Sequence, residues 1–154
     1  MIARVNDPTR TPFNKPLHEH GTVLSWIATS RLEIDAARLL VLAAAHKIDT
    51  SDAKAALKEI AEAKIMVPRV SLSVIDRAVQ AFGAAGVCQD TPLAGMWAGQ
   101  RTLRIADGPD EVHLQQLGRN ENKRGEGLRG KIEAQRRRAE GLVREFGDKS
   151  KARL

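Results

Sequence analysis

The sequence predicts an all-α protein, an antiparallel helical bundle that continues into a basic helical tail. Apolar residues recur at helical intervals from residue 16 to residue 82, whereas no stretch of useful length alternates with the period of a β-strand. The composition, 42% hydrophobic and 29% charged over 154 residues, is ordinary for one globular domain with a sizeable core. We therefore divide the chain into an N-terminal loop (residues 1–15), a helical bundle (16–121) and a tail (122–154).

The predicted N-terminal loop is rich in proline, asparagine and aspartate. It lacks the apolar core of a secretory signal, and Asp7 and the prolines argue against an amphipathic transit helix. A loop that leads into the first long helix is the expectation for this segment.

The first long helix is predicted over residues 16–48. Branched residues recur there every seven positions, and small residues lie three positions further on: Ile27, Ile34, Val41 and Ile48, then Ser30, Ala37 and Ala44. Such a seam of branched and small side chains is suited to close packing against another helix.

A second long helix is predicted to end near Phe82. Residues 49–52 form a turn with a ready N-cap, so the two helices should pack antiparallel across a short connection. Apolar residues again recur every seven positions, and Pro68 is expected to kink the helix because it removes one amide hydrogen bond. The repeating residues are Ile60, Val67, Val74 and Ala81.

Two turns follow in the stretch from residue 80 to residue 119. The segment from Gly83 to Gly86 has no bulky side chain, which predicts a helix end where another backbone or a phosphate can approach. Further on, Gly108 and Pro109 predict a new helix start, with acidic residues in its first turn. Asp107 then lies just outside a helix N-terminus, where a carboxylate can satisfy backbone amides or serve as a general base.

The tail carries the net charge of the chain. Residues 119–154 contain 12 Lys and Arg against 6 Asp and Glu, an excess equal to the +6 of the whole sequence. Its apolar residues fall near one helical face beside three consecutive arginines: Leu128, Ile132, Ala139, Val143 and Phe146, beside Arg136, Arg137 and Arg138. Such a helix can bind a partner, lie on an anionic membrane or remain solvated. With only 3% aromatic residues, nucleic acid is not expected as a partner.

Neither a metal nor a membrane-spanning segment is expected. A single cysteine, Cys88, excludes an internal disulfide and a cysteine-based zinc site, and the histidines lack the spacing of metal ligands. No apolar run approaches the roughly 20 residues that a transmembrane helix needs.

Two separated motifs carry a resemblance to a known family. Arg10-x-x-Phe13 is followed by Lys15-Pro16-Leu17, and Gln80-x-x-Gly83-x-x-Gly86 is followed by the wording RTLRIADGPDEVH. These resemble the C-terminal helical domain of the flavin-dependent acyl-CoA dehydrogenases, most of all the branch called family members ten and eleven. The resemblance extends from Met1 to about Glu121. It implies that the family's N-terminal and β-domains, and most of the first bundle helix, are missing.

The resemblance implies a set of site residues. Positions Arg10, Phe13 and Gln80 match residues that contact FAD bound mainly by the neighbouring subunit. Gly83, Gly86 and Gly108 complete the expected cofactor-binding set.

Asp107 matches the family's catalytic glutamate, which takes a proton from the α-carbon of an acyl-CoA thioester while hydride leaves the β-carbon for the flavin. Three positions depart from the family pattern: Asn14 and Ala84 replace glycines, and Pro109 replaces a flavin-contacting threonine.

Two function classes follow. In the first, the chain is the FAD-binding and oligomerising domain of an acyl-CoA dehydrogenase, inactive in isolation, with homologous subunits as partners and acyl-CoA as the substrate of the complete enzyme. In the second, it is a non-catalytic helical interaction module derived from that domain. The ending Ala152-Arg153-Leu154 resembles a peroxisomal signal, so we expect a peroxisomal location in a eukaryote and a mitochondrial or cytoplasmic one otherwise.

Overall fold

The computed structural model describes residues 1–151, and the side chains of residues 1–147, in two compact units. The first unit is Met1–Leu114 and the second begins at Gln115. Described residues form six α-helices and no β-strand, which confirms the all-α prediction. The helices are α1 (Ile2–Val5), α2 (Gly21–Thr50), α3 (Leu57–Phe82), α4 (Ala84–Val87), α5 (Leu93–Leu103) and α6 (Asp110–Lys151).

Helices α2 and α3 form the core of the first unit and run antiparallel. Arg77, near the end of α3, donates to Ser30 Oγ (3.1 Å) and, in a two-pronged ion pair, to Glu33 (2.6 and 2.8 Å) near the start of α2. The hydrogen bonds from Arg77 lower the pKa of Glu33. This partly buried pair fixes the register of the two helices.

Only half of the seam predicted on α2 is buried. Its buried positions recur every seven residues and carry small side chains, and they face a heptad-spaced set on α3: Val23, Ser30, Ala37 and Ala44 against Ala61, Ile65, Pro68, Leu72 and Ile75. The branched residues Ile34, Val41 and Ile48 remain about half-exposed, which leaves apolar surface on α2 uncovered. Because α3 is the main long neighbour of α2, only one narrow stripe of α2 can be covered.

The connection between the long helices differs in detail from the prediction. Asp52 Oδ1 accepts a hydrogen bond from the Ala55 amide (2.7 Å) and so closes a separate turn, and α3 begins only at Leu57. Pro68 lies buried inside α3, and the helix continues through it.

The segment predicted as an N-terminal loop opens with the helical turn α1. Val5 is fully buried, and Arg4 holds the end of α3. Its Nη2 donates to the Phe82 carbonyl (3.4 Å), and its guanidinium lies 5.2 Å from the centre of the Phe82 ring. Two short 3₁₀ turns, Pro12–Asn14 and Leu17–Glu19, then lead into α2.

The second unit contains the remainder of α6. The tail is helical as predicted, and its glycines do not end the helix before Lys151. The unit boundary at Leu114 lies earlier than the predicted boundary of bundle and tail at residue 121. Within the described part of the chain, no helix combines the length and apolar character required to cross a bilayer. The predicted targeting residues 152–154 lie outside the described residues.

Candidate functional site

A surface groove of about 520 Å³ lies between the N-terminal segment and the end of α3. We call it the Arg10 groove. Its lining includes three of the residues singled out from the sequence, Arg10, Gln80 and Gly83, together with Arg4 and Phe82. The remaining lining residues are Thr9, Thr11, Pro12, Leu17 and Ala81. The fold thus brings together residues that lie 70 positions apart in the sequence.

Arg10 is placed by a compact turn. Asp7 Oδ1 accepts hydrogen bonds from the Thr9 amide (2.9 Å) and hydroxyl (2.6 Å), and these bonds lower the pKa of Asp7. Arg10 Nε lies 3.8 Å from Asp7 Oδ2, too far for a strong hydrogen bond, and about half of the Arg10 side chain is exposed. Most donors of the Arg10 guanidinium are therefore available to an anion at the groove.

The backbone beside the groove is strained. Phe13 and Asn14 adopt left-handed conformations in succession, with φ of 56° and 57°. Phe13 is 94% exposed and does not line the groove. A bulky residue rarely adopts positive φ, and an aromatic ring held in solvent at such a position is a candidate contact surface for another molecule.

The end of α3 forms the other wall of the groove. Gly83 has φ of 63° and caps the helix, and its amide bonds the Val79 and Gln80 carbonyls. Gln80 is exposed. Gly86 serves a different purpose, since a Cβ there would lie 2.5 Å from the Val79 carbonyl oxygen, and its absence permits α4 to contact the α3 backbone. Gly86 does not line the groove.

Sequence reasoning missed Arg4. Its place in the groove depends on the packing of α1 against α3, which local sequence pattern does not specify. Arg4 Nε is buried and has no hydrogen-bond partner among the described residues, while Nη2 bonds the Phe82 carbonyl. Arg4 adds a second cationic side chain to the groove.

The candidate base Asp107 lies in a tight turn between α5 and α6. It is exposed and has φ of 54°, and the next residue, Gly108, has φ of 95°. His113 Nε2 donates to the Asp107 carbonyl (3.2 Å) and would lie 3.0 Å from a Cβ added to Gly108. Two left-handed residues in succession thus turn the chain immediately before α6, as the sequence predicted, although α6 begins at Asp110 and not at Pro109.

A buried ion cluster holds this turn. Asp110 is 2% exposed, and its Oδ2 accepts from Arg69 Nε (3.0 Å) and Arg104 Nε (2.8 Å). Burial raises the pKa of Asp110, but the hydrogen bonds and charges of Arg104 and Arg69 outweigh it, and the net pKa is lowered. From α3, Lys64 Nζ donates to the carbonyls of Leu103 and Ala106 (2.7 Å to the latter).

The prediction for Asp110 was therefore incomplete. It stands in the first turn of α6, as expected, but it serves as the shared partner of two arginines rather than only as a complement to the helix dipole. Its Oδ1 is buried without a partner among the described residues. Sequence reasoning also missed Lys64 and Arg69, because neither lies in a recognisable motif.

The Asp107 turn contacts the first half of α3, whereas the Arg10 groove lies at its C-terminal end. Lys64, which binds the Asp107 turn, and Gln80, which lines the groove, are separated by 16 residues of this helix, or about 24 Å along its axis. One copy of the chain does not bring the candidate base and the groove to a single point.

A second cavity, of about 370 Å³, opens between α2, α3 and α5. We call it the bundle groove. It is mainly apolar and contains none of the site residues named from the sequence. Its lining includes the half-exposed Ile34, Val41 and Met96. Among the described residues, no group of three His, Cys, Asp or Glu side chains could hold a metal ion.

Comparison with known proteins identifies what the chain is similar to. The sequence model of a family described as "Acyl-CoA dehydrogenase, C-terminal domain" matches residues 3–121. Acyl-CoA dehydrogenase family member 11 of Rattus norvegicus is 54% identical over 112 residues, which are 73% of this chain and 14% of that protein. Acyl-CoA dehydrogenase family member 10 of Mus musculus is 57% identical over 105 residues, 68% of this chain and 10% of that protein.

A solved structure of a putative acyl-CoA dehydrogenase from Mycobacterium abscessus has the same fold, with a TM-score of 0.76 and 42% identity. The match covers 80% of this chain and 30% of that one. The chain thus spans less than a third of the length of these relatives.

Proposed function

The chain belongs to the acyl-CoA dehydrogenase family, and from that premise we propose that it is the FAD-binding and oligomerising C-terminal domain of such an enzyme. The family and branch predicted from the two motifs are confirmed by the comparisons. In the proposed reaction a complete enzyme removes a proton from the α-carbon and a hydride from the β-carbon of an acyl-CoA thioester.

The observation that supports this proposal is the Arg10 groove. Three of the FAD-contacting positions implied by the resemblance line one groove, although nothing in their spacing required it. The chemistry of the groove fits the cofactor. Arg4 and Arg10 suit a pyrophosphate, the Gln80 amide can both donate and accept, and Gly83 leaves room for close approach. Phe13 offers an exposed ring beside them.

Asp107 is the proposed general base. When bound, FAD supplies the hydride acceptor of the reaction. The Asp107 carboxylate would take the α-proton, and the buried Asp110 cluster together with Lys64 would fix the turn that presents it. Because Asp107 is exposed in this chain, the water exclusion that the chemistry needs must come from other parts of a complete enzyme.

The separation of the Asp107 turn from the Arg10 groove supports assembly, since Lys64 and Arg69, which hold the turn, lie about 24 Å and about 16 Å before Gln80 along α3. In an oligomer of identical or related subunits, the groove of one subunit would hold the cofactor that serves the base of another. We expect the chain to self-associate, because α2 and the bundle groove leave apolar surface uncovered. A monodisperse monomer in light scattering at high micromolar concentration would contradict this expectation.

The isolated chain is proposed to be inactive as a dehydrogenase. A base near a cofactor that is not enclosed lacks the positioning and water exclusion required. Reduction of an electron acceptor by the purified chain with FAD and acyl-CoA would refute this.

The decisive experiment replaces Arg10 and Gln80 together by alanine in a complete enzyme that contains this domain. Loss of a charge-assisted contact and a hydrogen bond should weaken FAD binding about tenfold or more. Flavin absorbance per mole of purified protein, followed during dilution, measures that loss. Arg31→Ala serves as the matched control, since Arg31 does not line the Arg10 groove and forms an exposed ion pair with Asp35 on α2. Unchanged flavin retention in the double variant would refute the role of the groove.

The bundle groove favours one alternative, a non-catalytic module that binds a partner helix. The coding sequence immediately upstream of Met1 separates the two functions, because an in-frame stretch that resembles the missing domains would favour the enzyme. We also propose a peroxisomal location in a eukaryotic source, based on residues 152–154, which lie outside the described residues. A fluorescent protein that carries these residues at its end and stays diffuse in the cytosol would contradict that proposal.

A further inference from the structure

The second unit presents an apolar face that the proposed enzyme function does not use. Leu128, Ile132, Leu142 and Val143 are 55%, 50%, 53% and 68% exposed. At about 100° per residue, these side chains, with Ala139 between them, fall within one sector roughly 100° wide. The sector extends over about 22 Å from Leu128 to Val143. We call it the α6 apolar face.

Positive charge borders this face on both sides. By the same helical rotation, Arg129 and Arg136 lie along one edge, and Lys131 and Arg138 lie along the other. The glutamates of the segment, Glu133, Glu140 and Glu145, lie further round the helix. Long basic side chains at such edges can bury their stems against an apolar layer while their charged ends reach outward.

This arrangement disfavours a second copy of the chain as the occupant of the face. Apolar spacing of alternating four and three residues would permit a coiled coil, so the flanking charges decide the outcome. In a parallel pair, Lys131 of one copy would face Arg136 of the other, and in an antiparallel pair the same basic edges would meet again. Like charges at these positions repel, and although Glu140 and Glu145 lie about 20° beyond the basic edges, the four basic residues of the edges outnumber them.

We propose that the α6 apolar face binds a membrane surface that carries anionic lipid, with the helix lying in the plane of the interface. The combination of an apolar sector, basic edges and low overall hydrophobicity is that of helices which bind in this way. Gln135, which lies in the middle of the apolar sector, favours a lipid interface over a dry protein seam, since the interface can hydrate a polar group. Anionic lipid complements the four basic residues directly.

Vesicle sedimentation of the full chain tests the proposal. Vesicles of phosphatidylcholine with phosphatidylglycerol should retain the chain at least tenfold better than vesicles of phosphatidylcholine alone. Replacing Arg136 and Arg138 together by glutamine should reduce binding about tenfold, and Ile132→Ser combined with Leu142→Ser should reduce it by a similar factor. Circular dichroism establishes that each variant remains helical.

The matched control replaces Arg137 and Arg144 by glutamine, which removes the same charge from the opposite side of α6. These residues would lie more than a Debye length, about 8–10 Å, from the lipid, so binding should change less than threefold. An equal loss in this control, equal binding to neutral vesicles, or undiminished binding of the serine variant would overturn the proposal. So would a helix-mediated dimer that the serine variant dissolves, or binding of polyglutamate in place of vesicles, which would identify a second copy or an acidic polypeptide as the occupant.

Discussion

The two ends of α3 are built in opposite ways. At the Asp107 end, a carboxylate that is almost fully buried, two arginines and Lys64 hold a turn through side-chain contacts to the backbone and to each other. At the Arg10 end, the Arg10 and Phe13 side chains are exposed and the backbone at Phe13 and Asn14 is strained. The Asp107 end is therefore held by contacts within this chain, whereas the exposed groups of the Arg10 end remain available to another molecule. That difference is the one expected if the base belongs to this subunit and the groove receives a cofactor held largely by another.

The largest expected effect comes from the candidate base itself. In a complete enzyme, Asp107→Asn keeps the shape and removes the proton-accepting charge, so turnover should fall by about 10²–10⁴ while the fold is retained. Stopped-flow reduction of the flavin by acyl-CoA measures the chemical step. Glu111→Gln, an exposed change on the next helix, is the control. Turnover that survives Asp107→Asn would leave Asp107 as a helix-end residue only.

Asp110→Asn should destabilise the ion cluster that holds the Asp107 turn. It leaves Arg69 and Arg104 without their shared carboxylate, and since both arginines stay about one-third exposed, we expect a loss of about 2–3 kcal/mol, below the value for a fully buried pair. Urea unfolding of the chain measures it. The exposed residue Asp35, changed likewise to asparagine, should cost less than about 0.5 kcal/mol. Equal effects at the two positions would show that the cluster does not hold the turn.

Gly86→Ala tests whether α4 packs closely against α3 beside the Arg10 groove. An added methyl group would meet the Val79 backbone at 2.5–3.0 Å, and backbone cannot rotate away as a side chain can. We expect a loss of about 2 kcal/mol in the free energy of unfolding. At Gly95, inside α5, a Cβ meets nothing within 4 Å, so Gly95→Ala should instead stabilise by about 0.5–1 kcal/mol. A tolerated Gly86→Ala would mean that α4 can move away from α3.

Acid should weaken the Asp110 cluster. The pKa of Asp110 is lowered below its ordinary value of 3.8 in the folded chain, so its stabilising contribution is present above that value and is lost as pH falls through the folded pKa. The Arg77 partner Glu33 acts in the same direction, below its ordinary 4.5. Unfolding free energies measured between pH 6 and about pH 3 should therefore decline, and Asp110→Asn should flatten the decline. An unchanged slope in that variant would assign the acid sensitivity to the other carboxylates with lowered pKa values, Glu33 and Asp7.

The smallest effect is expected at the strained turn of the groove end. Asn14 has φ of 57°, a conformation that glycine adopts freely and asparagine tolerates, so Asn14→Gly should change stability by only a few tenths of a kcal/mol. Asn14→Ala, which lacks that tolerance, should cost about 1 kcal/mol. Thermal unfolding of the two variants compares them directly. Similar melting temperatures would indicate that the turn relaxes to another conformation.

Much of the fold was predictable because it depends on neighbours in the sequence. The two long helices, the glycine end at Gly83, the turn at Asp107 and Gly108, and the helical tail all follow from local spacing and from the conformations that glycine and proline favour. The family followed from two short motifs, at Arg10 and at Gln80, in the right order. The roles of those motif residues in FAD binding stay predictions.

The tertiary structure alone decides those features that depend on which distant segments of the chain meet. Local pattern placed small and branched residues of α2 in one packing seam, but only the packed structure decides that Ser30, Ala37 and Ala44 are the residues that α3 buries. Nor could local pattern place Arg4 in the Arg10 groove or join Asp110 to Arg69, which lies 41 residues away. Side-chain type and spacing fix what a residue can bond, but the choice among possible partners is made when the helices pack.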